Sequence, residues 1–235
     1  MQLILFIAGI FLAVSAPVAA AQPLRICCIG DSITWGSVEP LHAVSHGGYR
    51  ADLLKILTHD GYHIRFVGSR VPPHNPGVDD ACLPCEGYPG YTAGMIADAY
   101  AKSRVRAGIF LEEAGTNDGH KPLPDSYANQ RRLWTEILAY NPGAIVFVAT
   151  IPPCSTTYPH PGMNAYILRY NTGLRAAVAA FHNPRIVLAD LYIDSSLTTF
   201  RINFGVRGLH PSNIGYHKMA EFWAQTIEQQ FQPNS

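Results

Sequence analysis

The chain has 235 residues, with 17 lysines and arginines against 17 aspartates and glutamates, and only 14% of its side chains are charged. A zero net charge with no basic run argues against a nucleic-acid partner. A chain of this length can bury a large core as one α/β domain, and no internal repeat or low-complexity linker divides it.

Residues 1–21 contain no charged side chain, residues 3–16 are almost wholly apolar, and Ala19-Ala20-Ala21 offers small residues at a cleavage point. A secretory signal peptide is expected there, although the usual positive n-region is missing. The alternative is a membrane anchor, but a span needs about 20 apolar residues. The expectation is an exported domain over residues 22–235, in the extracellular space or periplasm, with no membrane attachment after cleavage.

The first strand is expected over residues 24–29, too short for a helix and rich in apolar side chains. It runs into Gly30-Asp31-Ser32-Ile33-Thr34, and Gly30 and Gly36 bracket a polar turn. A serine at the C-terminal end of a buried strand sits at the mouth of an open α/β sheet, where such folds bind ligands. The structural alternative for Ser32 is a helix N-cap. Further strands are expected over 64–68, 108–111, 144–150 and 185–189, and helices over 49–58, 92–102, 126–140, 164–181 and 213–231. This alternation of apolar strands and helical patterns implies a parallel sheet covered on both faces. In the last helix, Ile214, Met219, Phe222, Trp223, Ile227 and Phe231 fall at helical spacing and read as core.

The Pro/Gly-rich stretch 71–90 is the longest loop, and long loops in compact domains are usually functional. It contains Cys82-Leu83-Pro84-Cys85, which could close a small disulfide loop in an oxidising compartment. No second ligand pair at zinc spacing accompanies it. Cys27 and Cys28 are expected to be buried in the first strand. The count of five cysteines is odd, so at least one stays free or pairs between chains.

Three later stretches bear on Ser32. In Glu86-Gly87-Tyr88-Pro89-Gly90-Tyr91, Gly90 after Pro89 reads as a type II turn, with a backbone N–H available to a developing oxyanion. In Glu112-Glu113-Ala114-Gly115-Thr116-Asn117-Asp118, a strand again ends in polar residues. Asn117 can donate to an oxyanion and Asp118 can brace the loop. Of the two adjacent glutamates, one is expected to face solvent and the other to find partners inside. In Arg207-Gly208-Leu209-His210-Pro211-Ser212, His210 is held extended by the following proline, in a loop before the last helix. Ser212 is a suitable N-cap for that helix. A loop histidine can reach a serine at the sheet mouth and act as its general base.

Together, G-D-S-I-T, the Gly90 turn, G-T-N-D and G-L-H-P-S resemble the SGNH/GDSL hydrolase superfamily, in the expected order from Gly30 to His210. His46-Gly47-Gly48-Tyr49-Arg50, Phe66-Val67-Gly68-Ser69 and Glu86-Gly87-Tyr88-Pro89-Gly90-Tyr91 are most similar to carbohydrate esterase family three, the acetyl xylan esterases. The resemblance implies a three-layer α/β/α, flavodoxin-like fold with a five-stranded parallel sheet. It implies Ser32 as nucleophile and His210 as base, with an oxyanion hole made by the Ser32 N–H, the Gly90 N–H and the Asn117 amide. Asp31 and Asp118 would support them. Neither metal nor organic cofactor is needed. The implied substrate is a small acyl ester or an acetylated polysaccharide, although lysophospholipases and thioesterases share the superfamily.

One position departs from the family. The aspartate expected three residues before the histidine is Arg207. A triad carboxylate fixes the histidine tautomer and stabilises the imidazolium, and its loss in a serine protease costs about 10⁴ in rate. Three explanations follow. A backbone carbonyl orients His210, or another carboxylate does (Asp190, Asp194, Glu86 or Glu113), or the chain is a weakened relative that binds acylated glycans without efficient turnover. Trp35, Tyr88, Tyr91 and Tyr158 are candidates for a sugar-binding face, with packing as the alternative use of each ring.

Overall fold

The computed structural model describes residues 22–38, 47–74, 76–119, 122–155, 159–192 and 208–233. The expected signal segment, His46, Tyr158, Asp194 and Arg207 lie outside the described residues. The chain order is β1 (Leu24–Gly30), α1 (Ser32–Trp35), α2 (Tyr49–His59), β2 (Ile64–Phe66), β3 (Glu86–Gly87), α3 (Ala93–Ser103), β4 (Ile109–Glu113), α4 (Leu123–Tyr140), β5 (Ile145–Ala149), α5 (Met163–Ala179), β6 (Ile186–Ala189) and α6 (Asn213–Glu228). Every strand and helix expected from the sequence is present. The short α1 and β3 and the single-turn 3₁₀ helices at Asp80–Cys82 and Thr116–Asp118 are additional.

The sheet is parallel and runs β2-β1-β4-β5-β6. The two-residue β3 pairs with Ile29 and Gly30 of β1, on the edge that β2 leaves after Ile26. Without β3, this is the doubly wound, flavodoxin-like order, and its crevice opens at the C-terminal ends of β1 and β4, where the winding reverses.

Strand alternation divides the core. Ile26, Cys28, Ile109, Leu111, Phe147 and Ala149 face α2 and α6, where Leu53, Leu57, Met219 and Trp223 meet them. Their alternates Cys27, Ile29, Phe110, Val146 and Val148 face α3, α4 and α5. Both faces are therefore dry, as a parallel sheet requires. Met219, Trp223 and Ile227 are core as expected, but Ile214 is 61% exposed. It lies in the first turn of α6, beyond the reach of the sheet.

The stretch 71–90 is less loop-like than its composition suggests, because it holds a 3₁₀ turn and β3. The disulfide that Cys82 and Cys85 could have formed is absent: all five cysteines are free, buried thiols. Cys82 closes the 3₁₀ turn, whereas Cys85 is tied by backbone hydrogen bonds to Arg70. Both pack into the α2/α6 side of the core.

Gly30 is the tightest point of this frame. A Cβ there would lie 2.0 Å from the Glu113 carbonyl oxygen on β4 and 2.4 Å from Thr34 Oγ1. The Glu113 oxygen is backbone and cannot move without separating β1 from β4. Gly30→Ala is therefore expected to destabilise the protein by about 2–3 kcal/mol, read as a lower urea midpoint. An unchanged midpoint would contradict this packing.

Candidate active site

β1 delivers Ser32 directly into a single helical turn. The side chain of Asp31 accepts the Ile33 N–H at 3.0 Å and caps that turn. Ser32 is thus the first helical residue rather than its cap, which leaves its hydroxyl available. Gly36, at φ +90°, closes the turn in the left-handed conformation, its N–H reaching the Ser32 and Ile33 carbonyls.

From the far end of the chain, the loop before α6 brings His210 back to this point. Ser212 caps α6 by accepting the Gly215 N–H at 3.3 Å, as expected. His210 Nε2 lies 2.9 Å from Ser32 Oγ across 178 residues of sequence, and both residues are buried. With the hydroxyl donating to Nε2, the neutral ring carries its own hydrogen on Nδ1.

The two other candidate oxyanion donors, Gly90 and Asn117, come from neighbouring strand ends. Tyr88-Pro89-Gly90-Tyr91 is a type II turn as expected, with Gly90 at φ +79° and the Tyr91 N–H on the Tyr88 carbonyl at 3.0 Å. Gly90 faces open space. Asn117, in the 3₁₀ turn after β4, donates to the Tyr91 carbonyl at 3.1 Å and approaches Asp31 Oδ2 at 3.5 Å. Asp118 accepts the Ala93 N–H at 2.9 Å and so ties that turn to the start of α3. Tyr166 and Tyr170 hold the preceding Gly115 and Ala114 carbonyls.

Of the carboxylates proposed as stand-ins for the triad acid, Asp190 and Glu86 have other partners. Arg175 grips both oxygens of Asp190 at 2.7 Å, with Thr150 adding a bond at 2.9 Å. Glu86 accepts the Ser69 N–H and the Tyr88 hydroxyl, each at 2.5 Å. Glu113 is fully buried.

The expectation that one of Glu112 and Glu113 faces solvent fails, since both are fully buried. β4 is central and covered on both faces, so alternation sends one side chain into each layer. Burial lifts Glu112 to about 8, against the opposing hydrogen bonds of Trp134 and Gln130. It lifts Asp31 to about 6, with the Asp118 charge adding to the effect. Glu113 is also raised well above the usual range, first by burial and then by the charges of Asp31 and Glu112.

These groups hold protons in the folded state that the unfolded chain releases. Their stabilising contribution is complete below the ordinary carboxylate range and is lost as pH rises through about 6 for Asp31 and about 8 for Glu112. The thermal midpoint is therefore expected to be higher near pH 5.5 than near pH 8.5, and Glu112→Gln should flatten the alkaline part of the fall. A midpoint that rises with pH across this window would refute the assignment.

Sequence reasoning missed two arginines. Arg50 is fully buried and donates to the Cys82, Thr34 and Trp35 carbonyls, the last two at the end of α1. Its signal was its place on the apolar stripe of α2 with Tyr49, Leu53 and Leu57. Arg70 lies between Trp35 and Tyr88, 4.6 and 4.7 Å from their ring centroids, and no sequence signal marked it. Among the described residues, no cluster of three or more His, Cys, Asp or Glu side chains could hold a metal ion. No described helix is long and apolar enough to cross a membrane.

A doubly wound sheet with a buried serine–histidine pair at its switch point defines a site of the serine-hydrolase type. Residues 28–218 match the GDSL-like lipase/acylhydrolase family, and the chain belongs to that family. It is 27% identical over 262 residues to a multidomain esterase of Ruminococcus flavefaciens. That match covers 97% of this chain but 32% of the relative, so the chain spans about a third of its length. A family 3 carbohydrate esterase of Clostridium thermocellum is 27% identical, with a TM-score of 0.66 over 88% of this chain and 97% of that one. A carbohydrate esterase family 3 structure from Talaromyces cellulolyticus, at 22% identity, shares the fold with a TM-score of 0.69 over 88% and 97% of the two chains.

Proposed function

We propose that the protein is a serine esterase that removes short acyl groups, acetyl above all, from carbohydrate esters such as acetylated xylan. The observation that carries this reading is the 2.9 Å contact of Ser32 Oγ with His210 Nε2 at the sheet's ligand-binding edge. Ser32 Oγ adds to the ester carbonyl carbon while its proton passes to His210 Nε2. The bond to the sugar oxygen then breaks, and the same proton leaves with the alcohol. Water repeats the sequence on the acyl-enzyme and frees the acid. No other reactant is required.

The oxyanion would be met by the Ser32 and Gly90 N–H groups and by the Asn117 amide. One Asn117 hydrogen is fixed on the Tyr91 carbonyl, and the long 3.5 Å approach to Asp31 is the contact it can give up. Donors already aimed where charge develops are often the largest catalytic contribution, about 3 kcal/mol for one donor. Asp31 caps the turn that carries Ser32, and Asp118 ties the turn that carries Asn117 to the start of α3. The similarity to family 3 carbohydrate esterases supports a sugar ester over a long-chain lipid, lysophospholipid or thioester. We also propose that residues 1–21 direct export; N-terminal sequencing of secreted protein tests this, and an uncleaved Met1 on exported chain would count against it.

Arg207 supports a second reading, a disabled relative that binds acylated glycan without efficient turnover, because arginine cannot orient or stabilise an imidazolium. Hydrolysis of p-nitrophenyl acetate and acetylated xylan by the parent and by Arg207→Asp separates the two. A parent active on both substrates supports the esterase. A silent parent whose Arg207→Asp variant is at least about 100-fold faster supports the disabled relative. Silence in both would end the esterase reading.

A further inference from the structure

Beside the oxyanion turn lies an open cavity of about 560 Å³, bounded by Tyr88, Tyr91 and the outer face of α3 with Met95, Asp98 and Lys102. This volume is within the range of small-molecule sites. Its floor is apolar and held in place. The Tyr88 and Tyr91 rings stack at 5.2 Å and 18°. Tyr88 is fixed from behind by its hydroxyl bond to Glu86 and by the Arg70 guanidinium over its ring. Tyr91 is left as the outer ring, half-buried, and Met95 beside it is 45% exposed.

The rim carries one charge of each sign. Asp98 is held by Arg132 at 2.7 Å yet keeps most of its carboxylate in solvent, and Lys102 is exposed. An apolar floor with a polar, charged rim suits the CH face and the hydroxyls of a neutral pyranose. It does not suit an acyl chain, which would meet the rim charges. The groove adjoins the candidate site through Tyr91, whose carbonyl holds Asn117 and which follows Gly90 in the chain.

We propose that this groove is a carbohydrate subsite that grips the neutral polysaccharide backbone flanking the ester, with Tyr91 as its stacking platform. This rests on the sugar-ester reading above for the identity of the chain. A ring held here places the next sugar toward Ser32, so the groove selects polymer over isolated acetylated sugar without touching the reacting atoms.

Binding of unacetylated xylohexaose to Ser32→Ala protein, followed by calorimetry or NMR titration, tests the subsite apart from turnover. Saturable binding is expected, weakened at least about tenfold by Tyr91→Ala or Met95→Asp and retained in Tyr91→Trp. Met95 is exposed on a helix, so its substitution leaves the fold intact if Tyr91→Ala does not. No saturable binding up to millimolar sugar, or equal binding by all variants, overturns the subsite. Hydrolysis of p-nitrophenyl acetate by the parent decides the esterase separately. Turnover without xylohexaose binding defeats the groove alone, whereas binding without turnover defeats the esterase and leaves the groove standing.

Discussion

Ser32→Ala is expected to lower kcat for p-nitrophenyl acetate by about 10⁴- to 10⁶-fold with little change in KM. Ser32 Oγ lies 2.9 Å from His210 Nε2, and both residues are buried. Removing it removes the acyl-enzyme route and leaves only what the oxyanion donors can do for attack by water, about 10³ over solution. His210→Ala should cost a similar factor, and the double variant no more than the worse single one, because two residues that act as one unit are not additive. Ser32→Ala activity within tenfold of the parent would remove the serine mechanism altogether.

Arg50→Met is expected to be the most destabilising single replacement outside the sheet, by about 3–5 kcal/mol. The guanidinium is fully buried and, among the described residues, has no carboxylate partner. Its N–H groups are satisfied by three backbone carbonyls: Cys82 at 2.9 Å, Trp35 at 3.4 Å, and Thr34. Exchanging a whole buried ion cluster for apolar side chains is often harmless, but these acceptors belong to the backbone and stay behind. Each carbonyl left buried without a donor costs about 1–3 kcal/mol. Thr34 and Trp35 also form the negative end of α1, which a cation stabilises. The expected result is a thermal midpoint lower by about 10 °C, and a lower kcat in what remains folded, because α1 carries Ser32. Arg50→Lys should fall between, as one ammonium cannot span the three acceptors. A loss under about 1 kcal/mol would show that the arginine is dispensable.

Most of the fold was legible because it depends on periodicity. The apolar run Ile26–Ile29 and the spaced apolar residues of α2 through α6 carry their own element type, and βα alternation leaves a parallel sheet as the way to bury them. The turn at Pro89-Gly90 and the Ser212 cap were legible for the same reason, since each is decided by residues within a few positions. Glu112, Glu113 and Ile214 were misjudged because burial depends on what other elements cover. A glutamate ending a central strand cannot escape to solvent when both faces are roofed, and an apolar residue in the first turn of a helix gains nothing if the sheet does not extend beneath it.

The strand-and-helix order, the four motif turns and the residue types able to perform ester chemistry could be read from residue order, because local propensity and spacing act along the chain. Long-range packing alone joins Ser32 and His210, 178 residues apart, in one hydrogen bond, gives Asp190 to Arg175, and sets Arg50 against the end of the turn that carries Ser32. Those pairings rest on how β1, β4, α2 and α6 pack across the sheet. A side chain's partner at long range is fixed by that packing, which no local pattern records.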